Sequence, residues 1–251
     1  MSAVGSWAWA QETDGRLSRR DSAALLRQGI LARLAGVPGP WRAGLLKDAR
    51  SLKLPAPPDT ELAREAEELT RELSPPALYG HCVRTWAFAT LFAGRDRVEH
   101  DEELLYVACV LHDIGLTDRY NGSDPSAACF AVEGARVAHA LVKRRGEPED
   151  RARTVAEAIS LHLNVTVDDR FGPISTLLSK GVMLDVVGRR VEQIPPANIH
   201  EVIARWPRQG SGELLLADTA KQAECRPHSR AALLHRLGFT KLVSANPIDR
   251  S

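Results

Sequence analysis

Apolar residues recur at helical spacing along most of the chain, and polar or proline-rich stretches separate the apolar segments. Hardly any stretch shows the strict alternation of a half-buried strand. The pattern therefore predicts an all-α fold. Two or three of its helices are expected between Pro196 and Leu242. Earlier helices are predicted to begin at or near Asp21, Asp59, Ser74, Asp101, Cys129, Arg151 and Ile174.

Several of these starts carry capping signals. Asp59 or Thr60 is expected to cap the helix that follows, because a short polar side chain can accept a hydrogen bond from the first turn. Asp101 and its acidic neighbours favour a helix start through the helix dipole. Ser74 followed by proline has the form of an N-cap with proline in the first turn.

Breaks in the pattern divide the chain into three parts. Residues 1–58 form a partly helical N-terminal extension, in which 1–20 are expected to be an irregular arm. Residues 59–243 form the main helical domain, and 244–251 form a C-terminal tail. The expected roles of the extension are to pack against the main domain, to cover its mouth or to pair subunits in a homodimer.

The most apolar helices carry polar side chains. His81 and Arg84 lie on one of them, and another ends in His112-Asp113. An adjacent His and Asp point about 100° apart on a helix, so they reach one point only at a helix end. Gly115 is expected to supply that end through a positive φ. An imidazole and a carboxylate together suit a Zn or Fe ion, although a surface pair at a helix end fits the dipeptide equally well.

The composition excludes several classes of partner. Charged residues make up 26% of the chain and the net charge is +1, which predicts neither nucleic-acid binding nor disorder. No apolar run reaches the ~18–20 residues that span a membrane, and the N-terminus does not resemble a signal peptide. The four cysteines have no C-x-x-C spacing, so buried free thiols in a reducing cytoplasm are expected.

The order of the polar residues resembles a known family. His81, then His112-Asp113, then Asp185 is similar to the H…HD…D pattern of the HD-domain superfamily of metal-dependent hydrolases, over about residues 59–240. Several stretches also resemble the cyanamide hydratase-like branch of that superfamily. They are His81-Cys82-Val83-Arg84-Thr85, Leu111-His112-Asp113-Ile114-Gly115-Leu116-Thr117, Phe130-Ala131-Val132-Glu133-Gly134-Ala135, Ile159-Ser160-Leu161-His162 and Leu184-Asp185-Val186-Val187-Gly188.

The resemblance implies an HD-domain helical bundle around a divalent metal ion, Zn or Fe. His81, His112, Asp113 and Asp185 would be its ligands. Asp113 would accept a proton from a metal-activated water, and His162 would donate one to the developing nitrogen or oxygen anion. A buried histidine bonded to a backbone carbonyl is the alternative for His162. The expected substrate is a small molecule with a nitrile or related C–N group. Candidates for substrate binding are Arg84, Thr117, Asn121 and Asn164, although a structural role is favoured for Arg84.

One departure from the superfamily concerns the number of metal ions. Binuclear members, including the HD-type diiron oxygenases, have two further histidines, one of them usually four residues before a glycine. Here that position is Phe130, before Gly134, and an apolar ring cannot bind metal. One metal ion is therefore expected. A diiron oxygenase stays an alternative if His139 turns inward and binds metal together with His162.

Two further functional classes fit the same residues. An HD-type phosphohydrolase of a nucleotide or phosphomonoester would need several cations for its phosphates. Near the motifs these are mainly Arg84, with Arg119 and Lys180 further out. A non-enzymatic module that binds a ligand is the second class, and the complete set of ligand residues argues against it.

Overall fold

The computed structural model describes residues 2–35, 51–121 and 129–250. Within these ranges the secondary structure is α-helix and short 3₁₀-helix, without a strand, which confirms the all-α prediction. The α-helices are α1 (Trp7–Thr13), α2 (Arg19–Ala35), α3 (Glu61–Leu73), α4 (Pro76–Asp96), α5 (Glu102–Leu111), α6 (Phe130–Arg144), α7 (Glu149–Leu161), α8 (Gly172–Val187), α9 (Pro196–Arg205), α10 (Ser211–Cys225), α11 (Arg230–Arg236) and α12 (Phe239–Ser244).

The helix starts follow the capping chemistry at two of the three positions. The Thr60 hydroxyl accepts a hydrogen bond from the Ala63 amide at 3.2 Å, and the Asp101 carboxylate accepts one from the Leu104 amide at 2.9 Å. The prediction that Ser74 caps α4 is wrong. Ser74 ends α3 through a bond from its amide to the Thr70 carbonyl, and α4 then begins at Pro76, which has no N–H to satisfy.

Helices α4, α5 and α8 form the centre of the molecule, and α6 and α7 pack beside them. Two glycines let this centre close. A Cβ on Gly181 of α8 would lie 2.3 Å from the Thr85 carbonyl oxygen, and a Cβ on Gly115 would lie 2.2 Å from the Phe130 carbonyl oxygen. The expected positive φ at Gly115 is wrong, since its φ lies outside that region. Gly115 is needed because another backbone approaches it.

The N-terminal segment differs from the irregular arm expected for residues 1–20. Helix α1 places Trp7 and Trp9 in the same core as the central helices, at 6% and 3% exposure, and packs against α6 and α7. The connector proposed after α2 lies largely outside the described residues, and the division at residue 58 stays a prediction. None of the described helices combines the length and apolarity that crossing a bilayer requires.

Two matched glycine substitutions test the close approach of α8 to α4. Gly181→Ala is expected to lower the free energy of unfolding by about 2–3 kcal/mol or more, because the new methyl group meets rigid backbone. Gly94→Ala, in α4 with no atom within 4 Å of its Cβ, is expected to raise it by about 0.5–1 kcal/mol. Chemical denaturation measures the free energy of unfolding of both variants. Equal effects would contradict the close approach of α8 to α4.

Candidate metal centre

The centre of the site is a pair of histidines from two helices and the aspartate beside one of them. His81 lies within α4, whereas His112 is the last residue with helical dihedral angles after α5. Asp113 then leaves the helix at φ −107° and ψ 11°, which turns its carboxylate back towards both rings. All three side chains are buried. The end of α5 thus brings the adjacent residues His112 and Asp113 to one point, as the sequence predicted.

The donor atoms of this cluster face one another. Nε2 of His81 lies 3.1 Å from Nε2 of His112, and the Asp113 Oδ2 lies 3.4 Å and 3.2 Å from these two nitrogens. Ligand atoms of the three residues all fall within 4.8 Å of one another. Two imidazole nitrogens and a carboxylate that converge in a buried place fit a divalent metal ion of the Zn or Fe class.

Hydrogen bonds on the far side of each ring fix its orientation. His112 Nδ1 lies 2.7 Å from the Cys109 carbonyl oxygen and donates to it, so Nε2 is the nitrogen that would bind a metal ion in place of a proton. His162, at the end of α7, repeats the arrangement with the Ile159 carbonyl at 2.6 Å. Both rings therefore use the carbonyl three residues earlier, one of those that a helix end leaves without an intrahelical partner.

Asp185 lies behind His81, outside the cluster formed by the donor atoms of His81, His112 and Asp113. Its Oδ2 is 2.6 Å from His81 Nδ1, whereas Nε2 of that ring faces the centre. Arg84 binds both oxygens of the Asp185 carboxylate, at 2.8 Å and 3.0 Å, and Arg208 adds a contact at 3.0 Å. As placed, Asp185 orients His81, and its role as a fourth metal ligand stays a prediction.

Arg84 is fully buried, and every one of its N–H groups is engaged. Besides Asp185, it donates to the carbonyl oxygens of Trp206 and Pro207 and to the Ser211 hydroxyl. Burial alone would raise the pKa of Asp185, but the charge of Arg84 and the contact with His81 outweigh it and hold that pKa well below its usual range. Arg84 has the structural role, with no donor left for a substrate.

The electrostatics of the centre keep Asp113 ionised. Burial would raise its pKa, but the charge that His112 carries when no metal is bound, together with the polar contacts to His112, His162 and His81, lowers it far more. His162 Nε2 lies 3.5 Å from Asp113 Oδ1, on the side away from His81. Burial lowers the pKa of His162. The ring is therefore a neutral imidazole, with its lone pair directed into the centre.

His139 lies away from this centre. Its Nε2 is 3.0 Å from Glu149 Oε1 at the surface, and its ring stacks on Trp7 with 5.5 Å between the ring centres. Phe130 instead lies beside His162, with 5.8 Å between the ring centres. Among the described residues, the condition for a second metal, an inward His139, is not met.

A cavity of about 50 Å³ opens from the centre. Three residues that were expected to bind substrate are not among those that line it. The Thr117 hydroxyl donates to the Ile114 carbonyl, and the Asn121 side chain accepts from Gln222. Asn164 bonds the Val4 carbonyl and Arg230. Each side chain bonds within the fold and none of the three lines this cavity, so their role in substrate binding stays a prediction. The cavity is mostly apolar, with walls that include Leu116, Phe130, Val182, Val186, Leu215 and Phe239.

Sequence reasoning missed two charged residues near the site. Arg208 follows α9 and donates to the backbone and side-chain oxygens of Asp185. Asp218 lies on α10, where partial burial and the negative charge of Asp113 raise its pKa to about 6. Neither residue belongs to a motif, and each comes close to the site only through the packing of the C-terminal helices.

Comparison with known proteins agrees with this geometry. The family model of the HD domain matches residues 78–197, which include His81, His112, Asp113, His162 and Asp185. Two proteins of Saccharomyces cerevisiae (strain ATCC 204508 / S288c), cyanamide hydratase DDI2 and cyanamide hydratase DDI3, are each 30% identical to the chain over 157 residues. The match covers 61% of this chain and 68% of each yeast protein.

The chain belongs to the HD-domain family, in its cyanamide hydratase-like branch. It is therefore a metal-dependent hydrolase or hydratase, as its sequence predicted. The His-His-Asp cluster is the place in the described part of the chain where such a family member would hold its divalent ion.

Asp218 gives the metal-free protein a pH-dependent stability. Its folded-state pKa of about 6 exceeds its usual 3.8, so the destabilisation by ionisation is absent below pH 3.8, grows between pH 3.8 and 6, and is complete above pH 6. Asp218→Asn is expected to raise the free energy of unfolding by about 1 kcal/mol at pH 7.5, after allowance for solvent screening, and by about a third as much at pH 4.5. Urea denaturation of chelator-treated protein at both pH values measures the change.

Glu213→Gln, at an exposed position of the same helix, is the matched control. It is expected to change stability little at either pH. An Asp218→Asn variant that is no more stable than the parent at pH 7.5 would show that Asp113 and burial do not strain this carboxylate.

Proposed function

We propose that the chain uses a single Zn or Fe ion to add water to a nitrile or related C–N group of a small, uncharged molecule. The observation that carries this proposal is a buried His-His-Asp centre that opens into a small, apolar cavity. The similarity to two yeast proteins named cyanamide hydratase supports the same type of reaction. Water and a triple bond are the only reactants that such an addition needs.

The protein holds and orients the ion through a few donor atoms. His81 and His112 present Nε2, and Asp113 presents Oδ2. When bound, the ion supplies a Lewis acid that lowers the pKa of water towards ~7 and polarises a C–N group. Asp185 and the Cys109 carbonyl keep the two rings turned towards the centre from behind.

Asp113 and His162 are suited to move the protons of the reaction. The ionised Asp113 and the neutral His162 Nε2 both accept a proton from water as its oxygen attacks carbon. A His162 ring that has gained a proton at Nε2 is then a donor to the nitrogen of the substrate. The sequence predicted His162 only as a proton donor. In this proposal it first accepts a proton from water and then donates a proton to the substrate.

The cavity favours an uncharged substrate over a phosphate ester. Among the described residues, no lysine or arginine lines it. Arg84 and Arg208, the guanidinium groups beside the centre, are both bound to Asp185. A phosphorylated substrate would therefore lose its water shell without gaining charged donors. This supports hydration of a small molecule over hydrolysis of a phosphate ester.

Metal content tests the single-ion centre. Protein purified without added metal is expected to contain about one Zn or Fe per chain, measured by elemental analysis, because three donor atoms converge on one point. The counting control is His139→Ala, which is expected to leave the content unchanged since His139 is bound to Glu149 at the surface. Two Fe per chain, falling to one in His139→Ala, would instead support a diiron oxygenase.

Kinetics of two variants separate binding of the ion from proton transfer. Asp113→Ala is expected to lose both metal and turnover, because it removes a charged ligand. His162→Ala is expected to keep the metal and to lose about 10²–10⁴-fold in kcat, the usual contribution of a proton-transfer group. Metal analysis and steady-state rates on cyanamide and small nitriles measure both. Full activity in Asp113→Ala would refute the assignment of the site.

A further inference from the structure

The cavity at the metal centre has two unlike ends. His81, Asp113 and His162 form the polar end. Away from them the cavity is lined by aliphatic and aromatic side chains, among them Val182 and Val186 of α8. A substrate that fills the cavity thus has a reacting group at one end and a part in contact with hydrocarbon at the other.

The C-terminal helices supply part of the apolar end. Leu215 lies on α10, Leu234 on α11 and Phe239 at the start of α12. All three lie beyond residue 197, where the match to the HD-domain family model ends. The catalytic residues therefore come from the family domain, and part of the wall that the substrate meets comes from outside it.

The wall offers a substrate no free hydrogen-bond donor among the described residues. Thr219 contributes a hydroxyl group to the lining, and that hydroxyl donates to the Leu215 carbonyl at 2.7 Å. An unsubstituted amino group placed among the hydrocarbon side chains would lose its water, with the Thr219 hydroxyl oxygen as its one side-chain acceptor among the described residues of this wall. A hydrocarbon group would instead gain about fourfold in binding for each methylene that it buries.

The volume limits the size of this hydrocarbon group. The cavity measures about 50 Å³, and on this measure one water molecule needs roughly 10–15 Å³. Only a few non-hydrogen atoms therefore fit beyond the reacting group.

From these four observations we propose that the substrate of this chain is a small molecule whose C≡N group carries a short hydrocarbon group, directly as in an alkyl nitrile or through nitrogen as in an N-alkyl cyanamide. The helices α10–α12 select it over free cyanamide. This inference rests on the proposed function. In the reaction the oxygen of water bonds to the nitrile carbon as the first C–N π bond breaks and nitrogen gains one proton. The second C–N π bond then breaks as the C–O π bond forms, and the other proton of water moves from oxygen to nitrogen. The product is a urea or an amide, and nothing is oxidised or reduced.

The test is a substrate series on the metal-loaded full chain. Values of kcat/KM are measured for cyanamide and its N-methyl, N-ethyl, N-propyl and N-hexyl derivatives, and for alkyl nitriles of the same lengths. We expect kcat/KM to rise about fourfold with each methylene up to the limit of the cavity, and then to fall. A terminal ammonium group, as in 3-aminopropionitrile, is expected to abolish the gain.

Variants link the preference to the C-terminal wall. Leu234→Ala is expected to shift the optimum to a longer chain, because it enlarges the cavity. The matched control is Leu237→Ala, near the end of the same helix but exposed and outside the cavity, which is expected to keep the parent profile. Phe239→Leu is a second variant of the wall, which serves if Leu234→Ala does not fold.

The outcomes distinguish this inference from the proposed function. Turnover of cyanamide at a kcat/KM equal to or above that of every alkylated compound would overturn the inference and leave the function standing. An alkyl preference that neither wall variant alters would overturn the role of α10–α12. Metal-loaded protein that hydrates no nitrile or cyanamide would overturn the proposed function, and this inference with it.

Discussion

The site depends on a buried ion pair between Arg84 and Asp185, which passes its orientation on to His81. Loss of either partner leaves an uncompensated charge in the interior, which costs about 3–5 kcal/mol. The same guanidinium also holds the carbonyl oxygens of Trp206 and Pro207. One interaction thus joins α4, α8 and the loop after α9, so the metal centre and its C-terminal cover form as a unit.

The sequence predicted the all-α fold and the order of its main helices because apolar spacing and capping are local properties. It also pointed to His81 and His112-Asp113 as residues that meet. It did not predict the partners of Thr117, Asn121 and Asn164, whose polar groups bind backbone or side chains that the fold brings to them. Such pairings depend on tertiary packing and loop conformation, which no local pattern records.

The burial of α1 was missed for a related reason. Trp7 and Trp9 precede a polar stretch, so their surroundings in sequence indicate an irregular arm. Their partners are supplied by other parts of the chain: the Trp7 amide donates to Glu157, and the Arg230 guanidinium lies over the Trp9 ring. An apolar pair in a short segment becomes core only where distant helices leave a place for it.

Of the three rings that face Asp113, those of His112 and His162 are each held by a main-chain carbonyl at the end of a helix. In each ring the main-chain carbonyl accepts the proton of Nδ1, so the backbone determines the tautomer. An alanine scan of the surroundings would leave both carbonyl contacts in place and would not detect this support. Replacing the backbone amide at Cys109 or Ile159 by an ester would weaken the carbonyl acceptor, and would show how far the main chain determines which ring nitrogen carries the proton.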